Sequence, residues 1–334
     1  MERKRIRQLM EIPGRFEPGP RNAITDVPGV TCAHITIREG ENVCTGLTLI
    51  SPCEGDVFAN PLPAAAVAGN GFGKLVGALQ IEEMGTLESL IGLTNTLSVA
   101  AVLQGLVDYY VPKLPEGWKS INIVVGETND GQINDIRGCH VKPGHVAEAI
   151  ARLSAEVGEG AVGAGAGTVC FDYKGGIGTA SRIIPAEIVK EDTKTNFTVG
   201  ALVQSNYGGN LNIYGRKIPK PAKPANEDGS CMIIVMTDAP LSSRQLKRLA
   251  KRGLIGMTNT GSYMGNGSGD FCIAASNYSK NRRSREAKGQ SFYYLADSQL
   301  NPFFEACADA VQEALYNSLT MAVGTERFPG LNLM

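Results

Sequence analysis

One junction constrains this chain more than any other feature. The stretch 216–228 reads Arg-Lys-Ile-Pro-Lys-Pro-Ala-Lys-Pro-Ala-Asn-Glu-Asp. After Gly229 and Ser230 it gives way to the apolar run 231–236, Cys-Met-Ile-Ile-Val-Met. Pro219, Pro221 and Pro224 lack N–H donors and fix φ, which excludes the first stretch from helix interiors and inner strands. The second reads as a buried strand, because a short apolar, β-branched-rich run bounded by breakers suits a sheet covered on both faces. A hydroxyl residue therefore stands at the first position of a core strand, behind an exposed tether. If the bond before Ser230 is cut, that residue carries a hydroxyl and a free α-amine together, a nucleophile with its own base. The alternative is an ordinary loop-to-strand turn ending in Gly-Ser.

The rest of the chain supplies the core such a strand needs. Of 334 residues, 43% are hydrophobic and mean hydropathy is −0.07, as in water-soluble globular proteins. A net charge of −1 gives no electrostatic case for nucleic acid or an anionic membrane. No window is apolar enough for a membrane span. The start, Met-Glu-Arg-Lys-Arg-Ile-Arg, has no apolar stretch behind it and is not read as a secretory signal. Cys32, Cys44, Cys53, Cys139, Cys170, Cys231, Cys272 and Cys307 contain no Cys-x-x-Cys pair, so scattered buried thiols in a reducing cytoplasm are expected.

Strands are expected at 30–37, 43–50, 64–67, 121–125, 168–171, 197–203, 230–236 and 271–275. Three-four apolar spacing predicts amphipathic helices over 145–157 and 241–257. A buried helix is expected over 98–110, and Asn301-Pro302 opens another to about 319. Strands and helices do not alternate strictly, so a doubly wound parallel sheet is not compelled. There is no internal repeat and no clean boundary; one domain over 1–334 is expected, with 210–229 the only break in composition.

Residues 228–241 resemble the self-cleavage junction of the L-aminopeptidase/D-esterase family, which includes the β-aminopeptidases and the nylon-oligomer hydrolases. Six more blocks agree in order. They are Asn-Ala-Ile-Thr-Asp-Val-Pro-Gly-Val (22–30), Leu-Thr-Asn-Thr-Leu-Ser-Val (93–99) and Gly-Glu-Thr-Asn-Asp-Gly (126–131), followed by Lys-Gly-Gly-Ile-Gly-Thr-Ala-Ser-Arg (174–182), Val-Gln-Ser-Asn-Tyr-Gly (203–208) and Asn-Gly-Ser-Gly-Asp (266–270). The resemblance implies an α+β fold, a four-layer α/β/β/α sandwich with two central sheets. It implies self-cleavage into 1–229 and 230–334, no cofactor, and a homotetramer acting on small peptides, amides or esters.

It also distributes roles. Ser230 attacks the Gly229 carbonyl in the precursor, and glycine there permits unusual backbone geometry. The freed amine, with a pKa near 8, then serves as base. Ser268 and Asp270, in a Gly-rich turn before a strand, form a hydrogen-bonded chain to that amine. Asn206, after the strand 197–203, donates to the oxyanion. Glu127, after the strand 121–125, meets the substrate's amino group. Asn129 stands where some relatives carry Tyr, so the second oxyanion donor is either Asn129 or backbone N–H. Lys74 replaces a Glu common in the family. Without the resemblance, Asn206 and the Ser268–Asp270 pair read as ordinary polar turns.

Three other signals fail. Residues 69–74 lack the first glycine and the terminal Ser or Thr of a phosphate loop. His34, His140 and His145 have no metal-ligand spacing. The basic run 280–288 has no interleaved aromatics. Two rival readings remain: an endo-acting amidase of the nylon-oligomer type, and an unprocessed relative that binds a small ligand.

Overall fold

The apolar run at the junction becomes an inner strand of a six-stranded sheet. The computed structural model describes residues 3–189, 196–221 and 229–333. In spatial order the sheet is Gly176–Ile184, Phe197–Asn206, Gly229–Thr237, Ser268–Ser276, Leu62–Gly71 and Thr86–Leu87. All neighbours are antiparallel except Gly229–Thr237 and Ser268–Ser276. That parallel pair is joined by a crossover helix, Ser243–Asn259, because parallel strands cannot be linked by a tight turn. Ser242 caps the helix: its hydroxyl accepts from Gln245 N–H at 3.3 Å.

The second sheet has five strands, ordered Thr31–Glu39, Val43–Ser51, Ile91–Asn95, Val124–Thr128 and Leu75–Val76. Its parallel pair, Ile91–Asn95 with Val124–Thr128, is joined through the helix Val99–Tyr110.

Alternation along the junction strand builds the layers. Cys231, Ile233 and Val235 pack with Leu246, Leu249 and Val311 on the helices Ser243–Asn259 and Asn301–Thr320. Met232, Ile234 and Met236 turn the other way and pack with Leu93, Val125 and Leu49 of the second sheet. The outer face of that sheet is covered by Val99–Tyr110 and Gly144–Ala151. The result is the expected α/β/β/α order of layers.

Several boundaries differ from the sequence reading. The strand Gly176–Ile184 was not predicted, because a run of Gly, Thr and Ser carries no apolar alternation. Only Val169–Cys170 of the expected strand 168–171 is strand. The helix expected to reach 157 ends at Ala151, because Ser154 leaves it to exchange backbone hydrogen bonds with Cys32 at 2.9 and 3.1 Å. The strand expected at 121–125 is Val124–Thr128, which puts Glu127 inside the strand rather than after it. In the tether, the exposed pair Arg216–Lys217 forms a hairpin with Asn212–Ile213, whose Ile213 is buried. Residues 222–228, including Asp228 of the family block, lie outside the described residues.

Candidate active site

Ser230, Asn206, Glu127 and Asn129 all come to one end of the two sheets. They share a cavity of about 240 Å³ with Gly229, Lys74, Thr96, Phe72, Gln132 and Gly267. Ser230 is the second residue of its strand and lies opposite Asn206 and Gly269. Its even-numbered position aims the hydroxyl between the sheets, on the same face as Met232. The backbone N–H of Asn129 donates to Ser230 Oγ at 3.3 Å.

Gly229 is not in the left-handed region; it is an extended strand residue. This corrects the reason given for glycine. A Cβ at position 229 would lie 2.5 Å from the Asn206 carbonyl oxygen and 2.5 Å from Tyr207 Cα. Close approach to the neighbouring strand, not an unusual φ, demands glycine before Ser230.

Asn206 closes its strand rather than following it. Its Oδ1 accepts from Val169 N–H at 3.0 Å, which turns Nδ2 to the Asn129 carbonyl at 2.9 Å. An amide nitrogen has two hydrogens, so one donor is left over on the cavity side. The short strand that supplies Val169 is braced by Lys174, a fully buried lysine donating to the carbonyls of Gly165, Thr168 and Gly175 at 3.0, 2.7 and 2.6 Å. Burial lowers its pKa to about 7. Lys174 stands in the block 174–182, where the resemblance gives it no role. A lysine beside two glycines is the only local signal.

The Asn129 side chain turns away from the nucleophile: Oδ1 accepts from Gly131 N–H at 3.0 Å. Of the two groups left open by the sequence, the backbone N–H is the one that contacts Ser230 Oγ.

Ser268 and Asp270 belong to the strand Ser268–Ser276, not to a turn before it; the register shifts between Asp270 and Phe271. Ser268 Oγ donates to Asp270 Oδ1 at 2.9 Å, which leaves the hydroxyl oxygen free to accept. Asp270 lies opposite Cys231 in the register while Ser230 lies opposite Gly269, so strand alternation puts its carboxyl on the other face of the sheet from the Ser230 hydroxyl. Burial pushes Asp270 up to about 6, against the lowering effect of Ser268.

Glu127 is 2% exposed. Oε1 accepts from Lys74 N–H at 3.0 Å, Oε2 accepts from the Thr96 hydroxyl, and Lys74 Nζ lies 3.7 Å from Oε1. Thr96 stands in a block of the resemblance without a role of its own, and Gln132 carries no sequence signal; folding brings the first to Glu127 and the second to the cavity wall.

The histidines stand apart from this cavity. His34 Nδ1 pairs with Thr48 Oγ1 at 2.9 Å, His140 with Asp135 at 3.2 Å, and His145 Nδ1 accepts from Lys142 N–H at 3.0 Å.

Known proteins resemble the chain over nearly its whole length. The β-peptidyl aminopeptidases BapA of Sphingosinicella microcystinivorans and Sphingosinicella xenopeptidilytica are 37% and 33% identical to it. Those matches cover 93% and 96% of this chain and 84% and 85% of the relatives. Among solved structures, a Pyrococcus horikoshii OT3 protein superposes with a TM-score of 0.90 at 41% identity, over 98% of this chain and 96% of the other. A Burkholderia sp. β-aminopeptidase gives 0.89 at 36%, over 98% and 96%. The L-aminopeptidase D-Ala-esterase/amidase of Ochrobactrum anthropi, a variant of the Ntn hydrolase fold, gives 0.87 at 32%, over 98% and 95%. The profile of peptidase family S58 matches residues 22–332. With its two-sheet Ntn hydrolase fold, the chain belongs to peptidase family S58.

Proposed function

We propose that this chain cuts itself between Gly229 and Ser230. With Ser230 as N-terminal nucleophile it then removes the amine-bearing residue from small peptides, amides or esters. In the first reaction Ser230 Oγ attacks the Gly229 carbonyl carbon. The C–N bond breaks as the proton moves to nitrogen, and water opens the resulting ester to a Gly229 carboxylate and a free Ser230 amine. In the second, the hydroxyl proton passes to that amine as Oγ attacks the substrate carbonyl. The amine returns the proton to the leaving nitrogen, and water hydrolyses the acyl-serine.

The observation that carries this reading is the set of donors around Ser230 Oγ. Asn129 N–H contacts the oxygen, and the Asn206 amide is fixed beside it with one N–H to spare. Removing one oxyanion donor costs about 3–4 kcal/mol in other enzymes. Ser268 can accept from the freed amine while donating to Asp270, which orients the base and favours its protonated form. Glu127 is the group for the substrate ammonium. The β-peptidyl aminopeptidases among the relatives favour an acyl unit with its amine on the β-carbon. The eight cysteines are all unpaired, which supports a reducing, cytoplasmic setting, and the family resemblance supports assembly of four copies.

The test is a denaturing gel of purified protein with an assay on aminoacyl p-nitroanilides. Wild type should give two bands, 1–229 and 230–334, and hydrolyse the substrate. Ser230→Ala should stay at 35.4 kDa and be inactive. Cleavage of Ser230→Ala at this bond would refute self-processing by Ser230. A wild type that stays whole and inactive would favour the ligand-binding reading.

A further inference from the structure

The cavity holds one charge that this chemistry does not use. Lys74 Nζ lies 3.7 Å from Glu127 Oε1, and its side chain is 57% exposed. The loop that carries it is tied to the site. Lys74 N–H donates to Glu127 at 3.0 Å, and a Cβ at Gly73 would lie 3.1 Å from Gly269 Cα, so the loop lies against the strand beside Ser230.

The carboxylate assigned to the substrate amine therefore already faces an ammonium. Glu127, Lys74 and the ammonium of a β-amino acyl unit with no other charge together leave one excess positive charge. Like charges a few ångströms apart in a confined site repel. A carboxylate on the substrate, next to its amine, removes the excess and pairs with Lys74. An α-amino-acid head group carries both charges on one carbon, matching the adjacent Glu127 and Lys74.

We propose that Lys74 makes this cavity selective for a terminal residue whose free amine and free carboxylate share one carbon, and whose side-chain carboxyl forms the bond to be cut. A β-aspartyl amide is the member of this class whose amine is β to the scissile carbonyl. The reaction releases aspartate and an amine, with water as co-reactant and no redox change. The inference rests on Glu127 being the amine-binding carboxylate.

The test compares β-aspartyl p-nitroanilide with 3-aminobutyryl p-nitroanilide, in which methyl replaces the carboxylate. Mature wild type, Lys74→Met, Lys74→Arg and Glu127→Gln are assayed on both. The readout is the ratio of kcat/KM values. Wild type should favour the β-aspartyl substrate, Lys74→Met should lower the ratio about 10- to 100-fold, and Lys74→Arg should keep most of it. A wild type that favours the 3-aminobutyryl substrate, or an unchanged ratio in Lys74→Met, overturns the inference. Glu127→Gln tests the underlying reading separately. It should slow both amine-bearing substrates and spare an N-acylated ester. If it slows the ester equally, Glu127 does not bind the amine. If it behaves as expected while the Lys74→Met ratio stays put, only the role of Lys74 fails.

Discussion

In the uncut chain Asp270 is a buried carboxylate with incomplete compensation. Ser268 serves Oδ1, Oδ2 has no partner among the described residues, and burial raises the pKa from 3.8 to about 6. The sign follows from linkage. The unfolded chain ionises near 4, but the folded chain holds its proton until about 6, so stability falls as pH rises through that window. Above it the full cost remains, roughly 3 kcal/mol for a displacement of this size. If, as proposed, Ser268 accepts from the ammonium that cleavage would leave on Ser230, that charge offsets the cost. In a Ser230→Ala background, which should keep the chain whole, Asp270→Asn should therefore gain melting temperature relative to its parent between pH 4 and pH 8. The gain should be about 3–6 °C. Any constant effect of the buried amide cancels in that comparison. A difference between the two variants that is the same at both pH values would show that Asp270 carries no buried charge. Ser230, Asn206 and Glu127 were legible as residues because each lies in a block of the resemblance. Their partners were not, because Lys74 and Thr96 reach Glu127 only through packing of chain segments far apart in sequence.

At the scale of elements, the six-stranded sheet and its helix Asn301–Thr320 meet without side chains between them at Gly178. A Cβ there would lie 1.9 Å from the Ala314 carbonyl oxygen and 2.6 Å from Ser318 N. Nearby, Arg182 and Glu313, both fully buried, pair at 2.7 Å, and Arg7 approaches Glu313 at 2.8 Å. These contacts set the helix directly on the strand whose Gly176 end pairs with Ser205, the residue before Asn206. Gly178→Ala has no flexible side chain to displace, so backbone must move. It should destabilise by about 3 kcal/mol, at the upper end of the range for overpacking. Urea unfolding should show a lower midpoint with an unchanged slope, and a midpoint equal to wild type would mean that the helix yields at little cost. The strand Gly176–Ile184 escaped the sequence reading for the same reason. Small residues give no apolar alternation, yet small residues are what a helix seated on backbone requires.

For the whole molecule, the proposed cut would not produce two independent bodies. The strands Gly229–Thr237 and Ser268–Ser276 lie side by side, flanked by Phe197–Asn206 on one side and Leu62–Gly71 on the other. Residues 230–334 would thus supply the middle of a sheet whose edges belong to 1–229, and both cores mix residues from the two pieces. After cleavage the pieces should co-elute in native size exclusion, at the mass of four 35.4 kDa chains if the tetramer forms, and separate only in denaturant. Residues 230–334 expressed alone should be insoluble, since both outer strand edges and the inter-sheet face would be bare. Recovery of a folded, monomeric 230–334 would contradict this account.

The sequence by itself determined the strand behind Ser230, the break before it and the family to which the ordered blocks point. These are local properties: proline lacks a donor, an apolar run seeks cover, and a motif keeps its order. Only the tertiary structure decided that Gly229 is required by the backbone of Tyr207, that Asn129 offers its N–H rather than its side chain, and that Lys74 stands beside Glu127. Each depends on atoms from separate strands meeting within a few ångströms. No residue carries that information alone, because it arises from the register of two sheets packed face to face.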